Sequence, residues 1–561
     1  MLSVVPLTDG SAARLSPAGP RPLFLPLVLL LLAACRDTLT DNNAPNPQSV
    51  AVLTQHNDNT RSGWNDNETA LTTSNVNVQQ FGAVFTLPVD DQVYAQPLVM
   101  GHVSVGGGDH NVVYVATVNN TLYAYDGDNG RLYWQRGFTA PGMRPPTRTD
   151  MTGACGGSYQ DFSGNIGIVG TPVIDAARGT MYFVARSTTD STFVQYLHAV
   201  NIVDGSEIGG SPTKITATYS GNGDGSVAGV IAFDARRQNQ RQGLTLQNGV
   251  VYVTFASHCD WGPYHGWILG YDAATLGQRV VYNATPNGYG GGMWESGTGM
   301  AADAEGNLYV VVGNGTVGDS GDATNPTNRA ESALKLTPAG STLQVASYFT
   351  PYDYQHLNDN DLDYGSMGGL LIPNSGYYLT GSKDGTLYLL NKDAMGGYQP
   401  SSNQVQQVVP LGGTANMHCQ TAYYKGSSKE FIYVWSENDP LRAIPFDRAG
   451  NLLDPQGQVV SGVGPTGQSG AVLSVSSNGS KAGTGIVWAS YAVIGDAEHA
   501  VSPGILRAFD ANDVTQELWN NRQNFSRDGA GYYAKFSAPT IANGHVYLPT
   551  FSNQVVVYGL R

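Results

Sequence analysis

Apolar residues along this chain fall in short alternating runs, each closed by a turn, and nowhere settle into a sustained helical period. The sharpest copy is Val112-Val-Tyr-Val-Ala-Thr-Val118, a turn at Asn119-Asn120, the run Thr121-Leu-Tyr-Ala-Tyr-Asp126, then Gly-Asp-Asn-Gly130 and a strand ending at Trp134. Alternation with period two marks strands. A repeating unit of strands and turns buries its faces only by stacking on copies of itself. The pattern therefore predicts an all-β propeller, four strands to a blade.

Eight such groups are countable. They run from Gln96 to Trp134, Gly170 to Ala199, Gly243 to Asn283, Asn307 to Leu336, Gly368 to Leu390, Phe431 to Ile444, Gly485 to Trp519, and Ala538 to Tyr558. The eighth stops after three strands. The unassigned strand Phe81–Leu87 is predicted to supply its fourth, closing the ring and removing its open edges. Eight blades is the expectation and seven the fallback.

The first 52 residues read differently. Leu23 to Leu32 is an apolar run behind Arg14 and Arg21, too short to span a bilayer and suited to the core of a signal peptide. It ends in Leu32-Ala-Ala-Cys35, which resembles a bacterial lipobox, whose cysteine becomes the lipidated first residue of the mature protein. The expected organisation is a leader over 1–34, lipidation at Cys35, a polar proline-bearing tether over 35–52 and one propeller domain over 53–561. That places a monomer on the bacterial cell envelope, on the periplasmic side or the cell surface, touching membrane only through its anchor.

Composition narrows the partners. The net charge of −15 with no Lys/Arg-rich run argues against nucleic acid or an anionic lipid surface. Charged residues make up only 13% and glycine is abundant at 70 residues, which suits strands and turns. Beyond Cys35 stand Cys155, Cys259 and Cys419; an oxidising compartment allows one disulfide and leaves one cysteine over.

The spacing Ala124-x-Asp126-x3-Gly130-x3-Trp134 resembles the tryptophan-docking repeat of the pyrroloquinoline quinone (PQQ) propellers, the quinoproteins. Asp and Gly make its turn and Trp packs on the next blade. Weaker copies are Tyr271-Asp272 and Ala508-Phe-Asp510 followed by Trp519. The segment Asn57-Asp-Asn-Thr-Arg61-Ser-Gly63, with Leu71–Val76 and the strand at Phe81, is similar to the lead-in of quinoprotein dehydrogenases. The resemblance implies an eight-bladed ring with PQQ and calcium in its channel, and a carboxylate that takes the proton of an alcohol or sugar hydroxyl. Non-catalytic relatives, among them a lipoprotein scaffold of outer-membrane protein assembly, share the repeat without the cofactor. This chain also departs from the pattern. It has no adjacent cysteines, no Cys-x-x-Cys-His for covalent haem, and no match to the family's calcium ligands.

Candidate chemistry gathers in the loops of one propeller face. The densest stretch, Ser257 to Trp267, holds His258, Cys259, Asp260, Trp261, Tyr264 and His265. Three readings of it stay open: a zinc or copper site built on N and S donors, an aromatic cage for a ligand, or a rigid loop pinned by a Cys155–Cys259 disulfide. Trp294 offers a stacking floor, while Lys383 and Lys535 suit an anionic group. Glu295 and Asp363 are the candidate catalytic carboxylates, with Asp361 and Asp363 as calcium ligands or plain solvated acids. No Gly-x-Ser-x-Gly, His-Glu-x-x-His or phosphate loop is present. Two functions follow. One is a lipid-anchored protein binding a small molecule, glycan or envelope protein on its loop-rich face; the other is a PQQ- and calcium-dependent dehydrogenase.

Overall fold

Eight four-stranded antiparallel sheets stand around a central channel. A computed structural model describes residues 50–412, 416–462, 464–465 and 467–561. The leader, Cys35 and the tether as far as residue 49 lie outside the described residues. Blade one is built from Leu98–Val105, Gly108–Ala116, Thr121–Asp126 and Leu132–Gly137, innermost strand first. The other blades follow the same order, and among the described residues α-helix is confined to two short pieces, Tyr354–Asp359 and Phe525–Asp528.

The core is divided among the seams. Each junction between neighbouring blades carries its own apolar cluster, such as Leu98, Tyr114 and Trp134 of blade one against Ile174, Met181 and Phe183 of blade two. A blade is thus covered on both sides, and its middle strands bury both faces. Val250–Ser257 is buried at every position, whereas the outer strand Leu132–Gly137 exposes most of its residues. The docking motif works as its spacing predicts. Asp126 accepts the backbone N–H groups of Asp128 and Asn129, and Gly130 takes the left-handed conformation at φ 75°. Trp134 then donates its indole N–H to the Ile202 carbonyl of blade two at 3.1 Å.

Phe81–Pro88 pairs antiparallel with Gln554–Leu560 and completes blade eight beside Thr540–Ala542 and His545–Pro549. Phe81 is buried between Trp519 at 5.0 Å and Trp488 at 5.5 Å, so the closing strand is also a hydrophobic wedge between blades seven and eight. Arg527 and Asp528, on the loop before blade eight, clamp it. Arg527 donates to the carbonyls of Phe81 and Val78, and Asp528 accepts from Ala83 N–H. Arg527 is therefore part of the ring closure.

The lead-in segment does something its sequence did not announce. It runs once around the inside of the channel and meets every blade. Val52 pairs with Val99 of blade one, and the carbonyl of Leu53 accepts from Ile174 of blade two. Asn59, Thr60, Ser62 and Gly63 accept in turn from Ala302, Leu371, Tyr423 and Val475 of blades four to seven. Arg61 reaches Thr245 of blade three, and Asn65 donates to the Ile541 carbonyl of blade eight. The innermost strands of a ring expose one row of backbone groups to the channel, and an extended segment satisfies them. Residues 50–52, assigned by sequence to the tether, belong to this body: Val50 and Val52 are both buried.

Candidate functional site

Above this plug the connections between successive blades converge on a cavity of about 310 Å³. Its wall takes Asp161 from between blades one and two, Arg241 from before blade three, Trp294 from before blade four, Asp361 and Asp363 from before blade five, and Phe536 from before blade eight. Loops between second and third strands add Asp260, Lys383, Glu498 and His499. Gln420 links wall to plug: its amide donates to the carbonyls of Ser296 and Phe536, and its oxygen faces Gln55 of the lead-in at 3.5 Å.

One side is acidic. Lys383 sits between Asp363 at 2.8 Å and Asp361 at 3.1 Å, and these acids hold its ammonium charged despite burial. Asn314 fixes the pair from behind, its backbone N–H on Asp363 and its side-chain amide on Asp361. Asp260 accepts a hydrogen bond from Tyr264, and burial, then the charge of Asp363, pushes its pKa up to about 6.

Another part of the wall carries basic and acidic groups together. The Arg241 guanidinium lies 4.5 Å from the centre of the Phe536 ring and 6.0 Å from that of Trp294. Its Nε is buried without a hydrogen-bond partner, as is the indole N–H of Trp294. Lys535 is buried beside it, donates to the Glu498 carbonyl, and has its pKa lowered to about 8 by desolvation and by Arg241. Asp161, Glu498 and His499 bring one donor atom each within 4.8 Å of one another here. Asp161 Oδ1 stands 3.3 Å from His499 Nδ1, and desolvation raises the Asp161 pKa.

The structure gathers Asp260, Trp294, Asp363 and Lys383 at the cavity, with Lys535 behind the wall. The remaining sequence candidates stand elsewhere. His258 is wholly buried between the Tyr159 hydroxyl at 2.7 Å and Arg186 at 2.8 Å, and burial with Arg186 holds it neutral. His265 faces the carbonyls of Thr285 and Asp224, away from the cavity. Trp261 carries Arg236 and Arg237 near its ring at 5.1 and 5.0 Å, and Tyr264 acts through Asp260. The stretch is thus not one metal cage: its two histidines are committed to separate protein partners. Cys155 and Cys259 form a disulfide with Cα atoms 5.4 Å apart, at the cavity rim. Cys419 is free and buried, its thiol pushed up to about 12 by desolvation.

Glu295, a candidate catalytic carboxylate by sequence, is fully buried and absent from the cavity wall. Its Oε1 accepts the Val311 N–H of blade four at 3.1 Å, and burial pushes its pKa up to about 8. Sequence reasoning missed Arg241, Asp161 and His499. Each stands in a connection that no motif marks; the weak signal was loop position alone.

No protein-family model matches this chain, and no curated protein matches its sequence. Its fold does have counterparts among solved structures. A quinohaemoprotein alcohol dehydrogenase from Comamonas testosteroni superposes with a TM-score of 0.55 at 14% identity, over 93% of this chain and 81% of that one. A second, from Pseudomonas putida HK5, gives 0.52 at 13%, over 91% and 80%. A europium-containing methanol dehydrogenase gives 0.52 at 11%, over 89% of each chain. The chain has the eight-bladed quinoprotein propeller fold. At these identities the likeness is one of fold.

The site of this quinoprotein-type propeller can be tested against the cofactors of that fold. Calcium needs several oxygen ligands around a vacant centre. Here the centre of the Asp361–Asp363 pair is taken by the Lys383 ammonium. The Asp361–Asp363 pair in this arrangement does not fit calcium.

Proposed function

We propose that this chain is a lipid-anchored extracytoplasmic binding protein that holds a small polar molecule in the axial cavity of its propeller. One observation carries the reading. The cavity is walled by buried charges of both signs, and Arg241, buried among them, stands in no ion pair among the described residues. Isolated buried ions cost of order several kcal/mol each, an expense without return for stability. A cavity of this size with convergent polar groups is suited to a small ligand. The Cys155–Cys259 disulfide is in keeping with an oxidising compartment and hence with the leader read from sequence.

The rival, a PQQ- and calcium-dependent dehydrogenase, rests on the shared fold, and the Lys383 ammonium between Asp361 and Asp363 weighs against it. One experiment separates them. The purified full chain in detergent is titrated with PQQ, with and without calcium, following tryptophan fluorescence. Alcohols and sugars are assayed alongside with an artificial electron acceptor, and a metabolite panel is screened by calorimetry. Saturable metabolite binding without dye reduction is expected. Calcium-dependent PQQ binding with dye reduction would overturn the proposal in favour of the dehydrogenase.

A further inference from the structure

The charges around the cavity are unmatched in a way that defines their complement. Among the described residues, neither Arg241 nor Lys535 has a carboxylate within ion-pair distance, although they are 9% and 2% exposed. Asp260, also on the cavity wall, has no cation within that distance; its hydrogen bond comes from the neutral hydroxyl of Tyr264. Lys383 cannot serve it, being committed to Asp361 and Asp363. The groups come from different connections of the ring. Arg241 and Lys535 stand on the connections before blades three and eight, whereas Asp361, Asp363 and Lys383 belong to the approach and loop of blade five, with Asp260 from blade three beside them. Arg241 is also packed against the rings of Phe536 and Trp294, with its Nε buried and unbonded.

We infer that the cavity binds a dipolar small molecule of the amino-acid class, its carboxylate on Arg241 and its ammonium on Asp260 beside Asp363. Planar guanidinium matches carboxylate in two parallel hydrogen bonds, and a buried carboxylate is the natural seat of a primary amine. Such a ligand supplies an anion to Arg241 and a cation to Asp260 in one step, whereas Lys535 already has the charges of Asp161 and Glu498 near it. A singly charged ligand leaves either Arg241 or Asp260 without an ionic partner. The cavity of about 310 Å³ admits an amino acid with a sizeable side chain. This inference rests on the binding reading above and names its ligand class.

The test is calorimetric, on the purified full chain in detergent, with the standard amino acids as probes. For the tightest binder, two truncated partners are measured: the amide, lacking the carboxylate charge, and the des-amino acid, lacking the ammonium. Each is expected to bind at least tenfold more weakly than the parent. Arg241→Gln is expected to bring the parent down to the affinity of its amide, and Asp260→Asn to that of the des-amino acid. The ligand truncations carry the test even where a variant fails to fold. Truncated partners within threefold of the parent, or an Arg241→Gln protein that binds the parent as well as before, would overturn the inference. Saturable binding of a sugar or another uncharged metabolite with no amino acid bound would sink it and leave the binding function standing. Absence of binding by any small molecule would remove both.

Discussion

Replacing Glu295 with glutamine tests the electrostatics of the channel wall through a pH dependence whose sign and size follow from the structure. Glu295 has no exposed surface, and its Oε2 has no hydrogen-bond partner. Burial raises its pKa from an ordinary 4.5 to about 8, against the smaller opposing effects of Val311 N–H and the Arg61 charge. In the unfolded chain the group loses its proton above pH 4.5; in the folded protein it keeps that proton to about pH 8. Between those values the unfolded state binds fewer protons, so stability falls as pH rises, by about 1.4 kcal/mol per unit from this group alone. Its contribution is intact below pH 4.5 and lost once pH passes 8. The full span amounts to about 5 kcal/mol. Glutamine mimics the protonated form, still accepting from Val311 while never ionising. Urea unfolding of both proteins at pH 5, 6, 7 and 8, followed by tryptophan fluorescence, gives the difference directly, because other titrating groups largely cancel between them. Glu295→Gln should gain on the wild type steadily across that range. A gap that stays constant from pH 5 to 8 would refute the reasoning, since it would mean Glu295 holds its proton equally in both states.

Three other outcomes are expected. Lys383→Ala should expose the Asp361–Asp363 pair and create divalent-cation affinity, read as terbium luminescence that calcium competes away, while the wild type shows none. Phe81→Ala should cost about 3–5 kcal/mol in urea unfolding, because it empties a buried wedge at the ring closure; a loss below 1 kcal/mol would mean the closing strand is dispensable. Of the three body cysteines, none should react with a thiol reagent in the native protein at pH 8, and Cys419 alone should react after unfolding without reductant.

The architecture was legible in the sequence because its cause is local. A strand of alternating apolar residues, an Asp–Gly turn and a tryptophan at fixed spacing specify one blade, and blades of this kind bury their faces only by ringing an axis. Trp134 and Ile202 meet because consecutive blades are consecutive in the chain. The missing fourth strand of blade eight pointed to Phe81–Leu87 by simple count, and that strand is where the structure puts it. The loop face was also legible, as an alternation of connections, and it contained Asp260, Trp294, Asp363 and Lys383.

What tertiary structure alone decided is which loop residues face the axis and what they face. His258 and Asp260 are two residues apart, yet one is sealed against Tyr159 and Arg186 while the other borders the cavity. Trp294 and Glu295 are adjacent and part in the same way, because both Glu295 and Ser296 adopt left-handed backbone conformations there. Arg241, the residue on which the ligand inference turns, sits in an unmarked connection and acquires its role from Trp294 and Phe536, the latter almost 300 residues away. The lead-in plug is the same case at larger scale, its partners spread over all eight blades. Blade geometry is repeated by short-range spacing, so one sequence carries it many times over. The cavity wall is assembled once, from chain segments hundreds of residues apart, and only closure of the ring brings those groups together.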